Sequence, residues 1–177
     1  KGHQVVPTES VNAVTIPGAI DAFCQLSNDW GTLGLDKILA PSIKYAIDGV
    51  PVAPKVAYDW SRSVKRLHAS AATKFSNSGQ APKVGDIFSA PSQAEVLEKI
   101  ALNGRDGFYG GKVAEDMVTS LRALGGKHTL EDFAAQRAFY TDPITGHYKH
   151  MELVEHPPNG QGATAILLLN ILAQFDV

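Results

Sequence analysis

Residues 150–175, HMELVEHPPNGQGATAILLLNILAQF, constrain this chain more than any other stretch. Met151, Glu152 and Leu153 alternate apolar and polar, which predicts a short strand. Val154 extends the pattern imperfectly. Pro157-Pro158 then ends the ladder, because proline has no N–H to donate. Asn159, Gly160 and Gly162 tolerate positive φ and predict a tight turn. Residues 163–175 follow as a helix that is apolar nearly all round, and such a helix requires burial on nearly all sides. At about a dozen residues it is too short to cross a bilayer, which takes ~20 apolar residues. The expectation is therefore that further structure covers this helix, and that the sequence stops at Val177 as if cut.

The 177 residues suit one domain or one piece of a larger one. With 44% apolar and 19% charged residues, the composition is that of a folded chain. Eighteen acids against 16 bases give a net charge of −2, which offers no electrostatic case for nucleic acid or anionic membrane. The densest basic cluster, Arg62, Lys65 and Arg66, reads as the solvated face of a helix. Cys24 is the single cysteine and has no internal disulfide partner. Its place among Ile20, Phe23 and Leu26 points to core packing. No methionine or hydrophobic leader opens the sequence at Lys1-Gly2.

The order is mainly helical with a small β element. Residues 18–30 carry helical spacing after Pro17, and Gly31 and Gly34 close them. Residues 35–48 repeat the pattern, with Gly49 as a C-terminal cap and Pro41 expected to kink the helix or start a second one. Residues 54–74 form the clearest amphipathic pattern, with Val56, Trp60, Val64, Leu67 and Ala71 on one face. Residues 75–91 read as an ordered surface loop anchored by Val84, Ile87 and Phe88. Ser92 and Glu95 carry a capping-box signature for a helix that Gly104 ends. Residues 112–124 form another helix, stopped by Gly125-Gly126, and Thr129 caps a short last one through Phe133 to Gln136. Strand signals follow over 139–155, punctuated by Asp142-Pro143 and Thr145-Gly146. Residues 1–137 thus make a helical part, and 138–177 a strand–turn–helix.

Candidate sites read from residue types alone dissolve. His147, His150 and His156 fall close together, but His147 and His150 differ by an odd step on a strand and point to opposite faces. No helical His-Glu-x-x-His and no cysteine pair is present, so no metal or cofactor is expected. Gly104, Gly107, Gly110 and Gly111 suggest a phosphate cradle, yet they join two helices and no Gly-Lys-Ser/Thr follows. There is no Gly-x-Ser-x-Gly elbow. Glu152 and Glu155 read as a solvated strand edge rather than an acid–base pair.

Several segments in order resemble the γ-glutamyltransferase (γ-glutamyltranspeptidase) family of N-terminal-nucleophile hydrolases. Val14-Thr15-Ile16-Pro17-Gly18-Ala19-Ile20 is similar to its V-P-G-x-V/I segment. Trp30-Gly31-Thr32-Leu33 with Leu39-Ala40-Pro41-Ser42-Ile43 resembles Y/W-G-x-L…L-x-P-A/S-I, and Ala46-Ile47-Asp48-Gly49-Val50-Pro51-Val52 resembles A-x-x-G-F/Y-P-V. The stretch 104–111 resembles G-x-x-x-F-Y-x-G. Leu124-Gly125-Gly126, Thr129-Leu130-Glu131-Asp132-Phe133, Pro157-Pro158 and Asn170-Ile171-Leu172 with Phe175-Asp176 continue the match.

The resemblance implies a helical subdomain of the large subunit of an αββα hydrolase that cuts its own precursor. The nucleophile would be the N-terminal threonine of the small subunit, with its α-amine as base. Neither that threonine nor the substrate-carboxylate arginine falls at a position of this sequence, so no catalytic or substrate-binding residue is carried over. The implied partners are the remainder of the precursor and a γ-glutamyl or related amide. By family analogy the parent is periplasmic or secreted, with the cytoplasm an open alternative. Glutathione-cleaving members show Pro-Pro-Ser-Ser-Gly-Gly where this chain has Pro157-Pro158-Asn159-Gly160-Gln161-Gly162, a form closer to the branch of cephalosporin-acylase-like proteins. The rival expectation is a free-standing helical binding module that presents Ile166, Leu167, Leu168, Leu169, Ile171 and Leu172 to a partner.

Overall fold

The computed structural model describes residues 4–176. The chain forms two compact units that divide after Ala138. The first is helical. A 3₁₀ turn, Val11–Ala13, is capped by Ser10, whose Oγ accepts the Asn12 N–H at 3.2 Å. Then come α1 (Ala19–Trp30), α2 (Leu35–Asp48), the two-residue strand β1 (Val50–Pro51) and α3 (Pro54–Ser63). A second 3₁₀ turn, Val64–Arg66, leads to α4 (Ala69–Phe75) and to β2 (Ile87–Phe88), which pairs antiparallel with β1. Helices α5 (Pro91–Asn103), α6 (Asp106–Tyr109), α7 (Gly111–Ala123) and α8 (Leu130–Ala135) complete it.

The core of this unit gathers Tyr109, Ala114, Val118 and Phe133, with Ile16, Ile20, Phe108, Met117 and Leu121 packed around them. Burying an aromatic such as Phe133 contributes about 1.5–3 kcal/mol, so a few such side chains fix how α6, α7 and α8 meet. Glycine is needed where α6 turns back on α5: a Cβ on Gly107 would stand 2.1 Å from the Lys99 carbonyl oxygen. Gly49, at φ 84°, ends α2 and brings the chain beside β2.

The sequence expectations for the first unit need correction at several points. Of the two expectations for Pro41, a second helix is not what forms: α2 runs through it as one helix. Its lost hydrogen bond is offset because α2 lies along α5 and Ala46 accepts the Ala90 N–H at 2.8 Å. The amphipathic pattern over 54–74 is not one helix: Leu67 and His68 are extended between α3 and α4. The chain folds back there so that Trp60 Nε1 donates to the Phe75 carbonyl at 2.8 Å, a tie between distant positions that periodicity does not encode. Ser92 does not cap α5; the helix starts at Pro91, after Ala90, and Ser92 Oγ instead accepts from Lys74 Nζ at 3.3 Å. In the loop, Val84 and Ile87 are exposed, and Phe88 is the anchor, edge-on to Trp60 with ring centroids 4.7 Å apart. On α1, Cys24 is buried as expected, whereas Phe23 and Leu26 are exposed.

The second unit is a hairpin with a helix on one face. β3 (Ile144–Tyr148) pairs antiparallel with β4 (Met151–Glu155), from Ile144 opposite Glu155 to Tyr148 opposite Met151. The turn between them carries Lys149 at φ 53°. Thr145-Gly146, expected as punctuation, lies inside β3 instead. The reason is steric: a Cβ on Gly146 would stand 2.6 Å from Ile166 Cγ2 of α9 (Gly162–Leu172), so glycine serves helix–strand approach, not a turn.

Candidate functional site

The turn from β4 into α9 shows how sequence dictates a local site. Pro157 and Pro158 withdraw the chain from the ladder. Gly162 is buried, and a Cβ there would lie 2.5 Å from the His156 carbonyl oxygen and 2.7 Å from Glu155 Cβ. Only glycine allows the helix to begin this close to the strand end. Asn159, Gly160 and Gln161 are exposed. The Gln161 side-chain oxygen accepts from Thr164 Oγ1 at 2.9 Å, which orients one carboxamide at the mouth of the turn. Carboxamides donate and accept hydrogen bonds but supply no nucleophile.

The three histidines are placed apart. His147 stands opposite Glu152 in the hairpin, His150 lies in the Lys149 turn, and His156 Nδ1 donates to its neighbour's Pro157 carbonyl at 3.3 Å. Among the described residues, no group of three or more His, Cys, Asp or Glu side chains converges on a metal position.

The first unit holds a buried polar cluster. Asp21 of α1 and Arg105, just before α6, form an ion pair at 2.6 Å, with side chains 7% and 21% exposed. Arg105 Nη2 donates to the carbonyls of Ala134 at 2.8 Å and Gln136 at 2.7 Å. Asp21 Oδ2 accepts the Ala138 N–H at 2.5 Å. The Tyr109 hydroxyl accepts the Asp21 N–H at 3.2 Å and donates to the Pro17 carbonyl at 2.6 Å, while the guanidinium lies 4.8 Å from its ring centroid. Burial raises the Cys24 thiol above its ordinary range; the Asp21 charge adds to this and Arg105 opposes it. Burial likewise raises the Tyr109 phenol. A neutral thiol and phenol committed to packing are poor nucleophiles. This cluster holds segments together rather than performing chemistry.

An open cleft of about 500 Å³ brings Thr15, His128 and Asp132 to one wall. These residue types recur in hydrolase triads, but His128 and Asp132 are committed elsewhere. His128 Nε2 donates to the Val14 carbonyl at 2.8 Å, and Asp132 caps α8 by accepting the Thr129 N–H at 2.8 Å.

Residue reasoning assigned no site residue and missed the Asp21–Arg105–Tyr109 cluster. Its one local signal was an acid three residues before a core cysteine on the same helix face. The stretch 104–111 is not a plain loop between two helices: Gly107 lies inside the short helix α6, while Gly104 ends α5 and Gly110 precedes α7.

This architecture is shared with solved enzymes. A cephalosporin acylase from Bacillus halodurans superposes with a TM-score of 0.91 at 34% identity, covering 99% of this chain and 34% of the other. The gamma-glutamyltranspeptidase of Helicobacter pylori gives 0.88 at 26% identity over 97% of this chain and 51% of that one. The glutathione hydrolase-like YwrD proenzyme of Bacillus subtilis (strain 168) is 32% identical over 99% of this chain and 34% of its own length. These similar proteins are named as an acylase, a transpeptidase and a glutathione hydrolase-like proenzyme. The sequence profile of the gamma-glutamyltranspeptidase family matches residues 1–177, and the chain belongs to that family. It spans about a third of the YwrD relative, 34% of its length. The family match disfavours the free-standing binding module.

Proposed function

We propose that this chain is part of the large-subunit region of a γ-glutamyltransferase-like enzyme. That enzyme cleaves γ-glutamyl or related amides and passes the acyl group to water or an amine. The observation that carries this reading is a family match over residues 1–177 in a chain that accounts for 34% of the length of a proenzyme relative. The helical unit would stand beside the αββα core, and the strand–turn–helix would join it.

The attacking group is an N-terminal threonine outside these residues, whose own amine takes the hydroxyl proton. N–H donors hold the oxyanion as the amine leaves, and the acyl-enzyme then yields to water or an acceptor. Asn159 and Gly160 stand where glutathione-cleaving members carry two serines, and Gln161 where they carry a glycine, so the substrate class is a γ-glutamyl or related amide rather than glutathione in particular. The likeness to a cephalosporin acylase, at 34% identity, supports this breadth.

The test is release of a chromogenic amine from a γ-glutamyl anilide and from side-chain acyl amides. The full-length protein is expected to turn over at least one, and residues 1–177 alone none. Robust turnover by residues 1–177 would overturn the assignment of the nucleophile. Inactivity of the full-length protein on every amide would remove the class.

A further inference from the structure

Asparagine followed by glycine occurs twice in this chain, at Asn103-Gly104 and at Asn159-Gly160. In such a pair the glycine amide nitrogen can reach the asparagine side-chain carbonyl carbon, because no Cβ crowds the approach. Whether it does depends on how the backbone is held, since intramolecular attack needs the reacting atoms aligned. The first pair is held. Asn103 is the last residue of α5, its Nδ2 donates to the Lys99 carbonyl at 3.3 Å, and the Gly104 N–H donates to the Ile100 carbonyl at 2.8 Å. Both reacting groups are thereby engaged at the helix end. The second pair is not held. Asn159 and Gly160 lie exposed in the turn between β4 and α9, outside any helix or strand. Among the described residues, neither the Asn159 carboxamide nor the Gly160 N–H has a hydrogen-bond partner. A Cβ built on Gly160 would meet nothing closer than the Pro157 carbonyl oxygen at 3.9 Å, so the backbone there has room to rotate.

We infer that Asn159 is a site of spontaneous deamidation in this protein and that Asn103, with the same following residue, is spared. The Gly160 nitrogen gives its proton to water and bonds to Asn159 Cγ. The Cγ–Nδ2 bond breaks, and Nδ2 leaves as ammonia. Water then opens the cyclic imide. Attack at Cγ leaves aspartate, whereas attack at the Asn159 main-chain carbonyl leaves isoaspartate, with the chain running through the former side chain. Either way one carboxamide and one water become one carboxylic acid and one ammonia, and no co-reactant but water is consumed. The acid is ionised at neutral pH. The turn thus gains a negative charge just ahead of α9, whose N-terminal end favours it.

The experiment incubates freshly purified full-length protein in mildly alkaline buffer and follows its tryptic peptides by mass spectrometry. Trypsin separates the two pairs: cleavage after Lys99 and Arg105 releases Asn103, and cleavage after Lys149 releases Asn159. Conversion of carboxamide to acid is expected severalfold faster at Asn159 than at Asn103. Fragment ions should place the mass gain on Asn159, and protein isoaspartyl methyltransferase should label part of the product. In guanidinium chloride the two rates should converge, because only the shared dipeptide then acts. Gly160→Ala, whose new Cβ meets no atom closely, should fold and should slow the reaction at Asn159 severalfold. Equal rates in the folded protein, faster reaction at Asn103, or an Asn159 that stays unreacted would overturn the inference. A rate gap that persists undiminished in denaturant would do the same, since the fold would then not be its source.

Discussion

Arg105 Nε lies 2.6 Å from Asp21 Oδ1, and this pair joins three segments far apart in sequence. Asp21 brings α1 and, through its second carboxylate oxygen, the Ala138 N–H. Arg105 brings the carbonyls of Ala134 and Gln136 at the end of α8. A carboxylate and a guanidinium removed from water need each other and their remaining hydrogen bonds satisfied.

Removing one partner should therefore be costly. Asp21→Ala leaves a largely buried guanidinium without its counter-charge and is expected to destabilise the protein by about 3–5 kcal/mol in equilibrium urea unfolding. Arg105→Met on that background should recover part of the loss, because no uncompensated ion remains. A double-mutant cycle with coupling near zero would show the pair to be inert.

Gly107 and Gly111 should respond differently to alanine. At Gly107 the new Cβ meets the Lys99 backbone at 2.1 Å, so α5 and α6 must separate, with an expected loss of about 1–3 kcal/mol or more. At Gly111 nothing lies within 4 Å, and the penalty is the φ of +56° alone, about 1–2 kcal/mol. Thermal unfolding of both variants checks the order, and a more damaging Gly111→Ala would contradict it.

Alkaline pH should weaken the first unit. Burial raises both the Cys24 thiol and the Tyr109 phenol above their ordinary values of 9.0 and 10.0. The fold thus favours the neutral forms. That stabilisation is complete below the ordinary values and is lost as pH rises toward the higher folded ones. An ionised Tyr109 also has no proton for the Pro17 carbonyl. Unfolding midpoints should fall above about pH 9, and Tyr109→Phe should flatten that dependence. Cys24 should react with maleimide at neutral pH only after denaturant is added.

Helix caps offer a paired test. Thr129 and Asp132 form a reciprocal box at the start of α8, so Thr129→Ala should cost about 1 kcal/mol. Ser92, which has the sequence signature but caps nothing, should tolerate alanine with a change of about 0.5 kcal/mol or less. Urea midpoints of the two variants settle which serine or threonine is a cap.

The contrast between Thr129 and Ser92 shows where local reading succeeds. Both precede an acid three residues on, yet the chain at 90–91 is already committed by Pro91 and by the hydrogen bond from Ala90 to α2. Gly146 makes the same point in a strand. Beside threonine it looks like a turn, and only Ile166, twenty positions on, explains it. The end of the strand at 157–158 was legible because Pro157 and Pro158 act on their own backbone. Gly162 instead is required by its approach to Glu155 and His156, and Asn159, Gly160 and Gly162 do not take the positive φ expected of them. The Asp21–Arg105 cluster was not legible, because no single segment contains it.

The sequence by itself determined the mainly helical character, most helix ends, the strand Met151–Glu155 and the family, since these rest on local backbone preference and on motifs in fixed order. Tertiary structure alone decided that Pro41 is tolerated, that residues 54–74 break into two helices, and that Asp21 is buried against Arg105. It also decided which face of α9 the hairpin fills and which it leaves open. Each of these depends on a contact between residues distant in the chain, where burial and pairing energies exceed the few tenths of a kcal/mol by which local propensities differ.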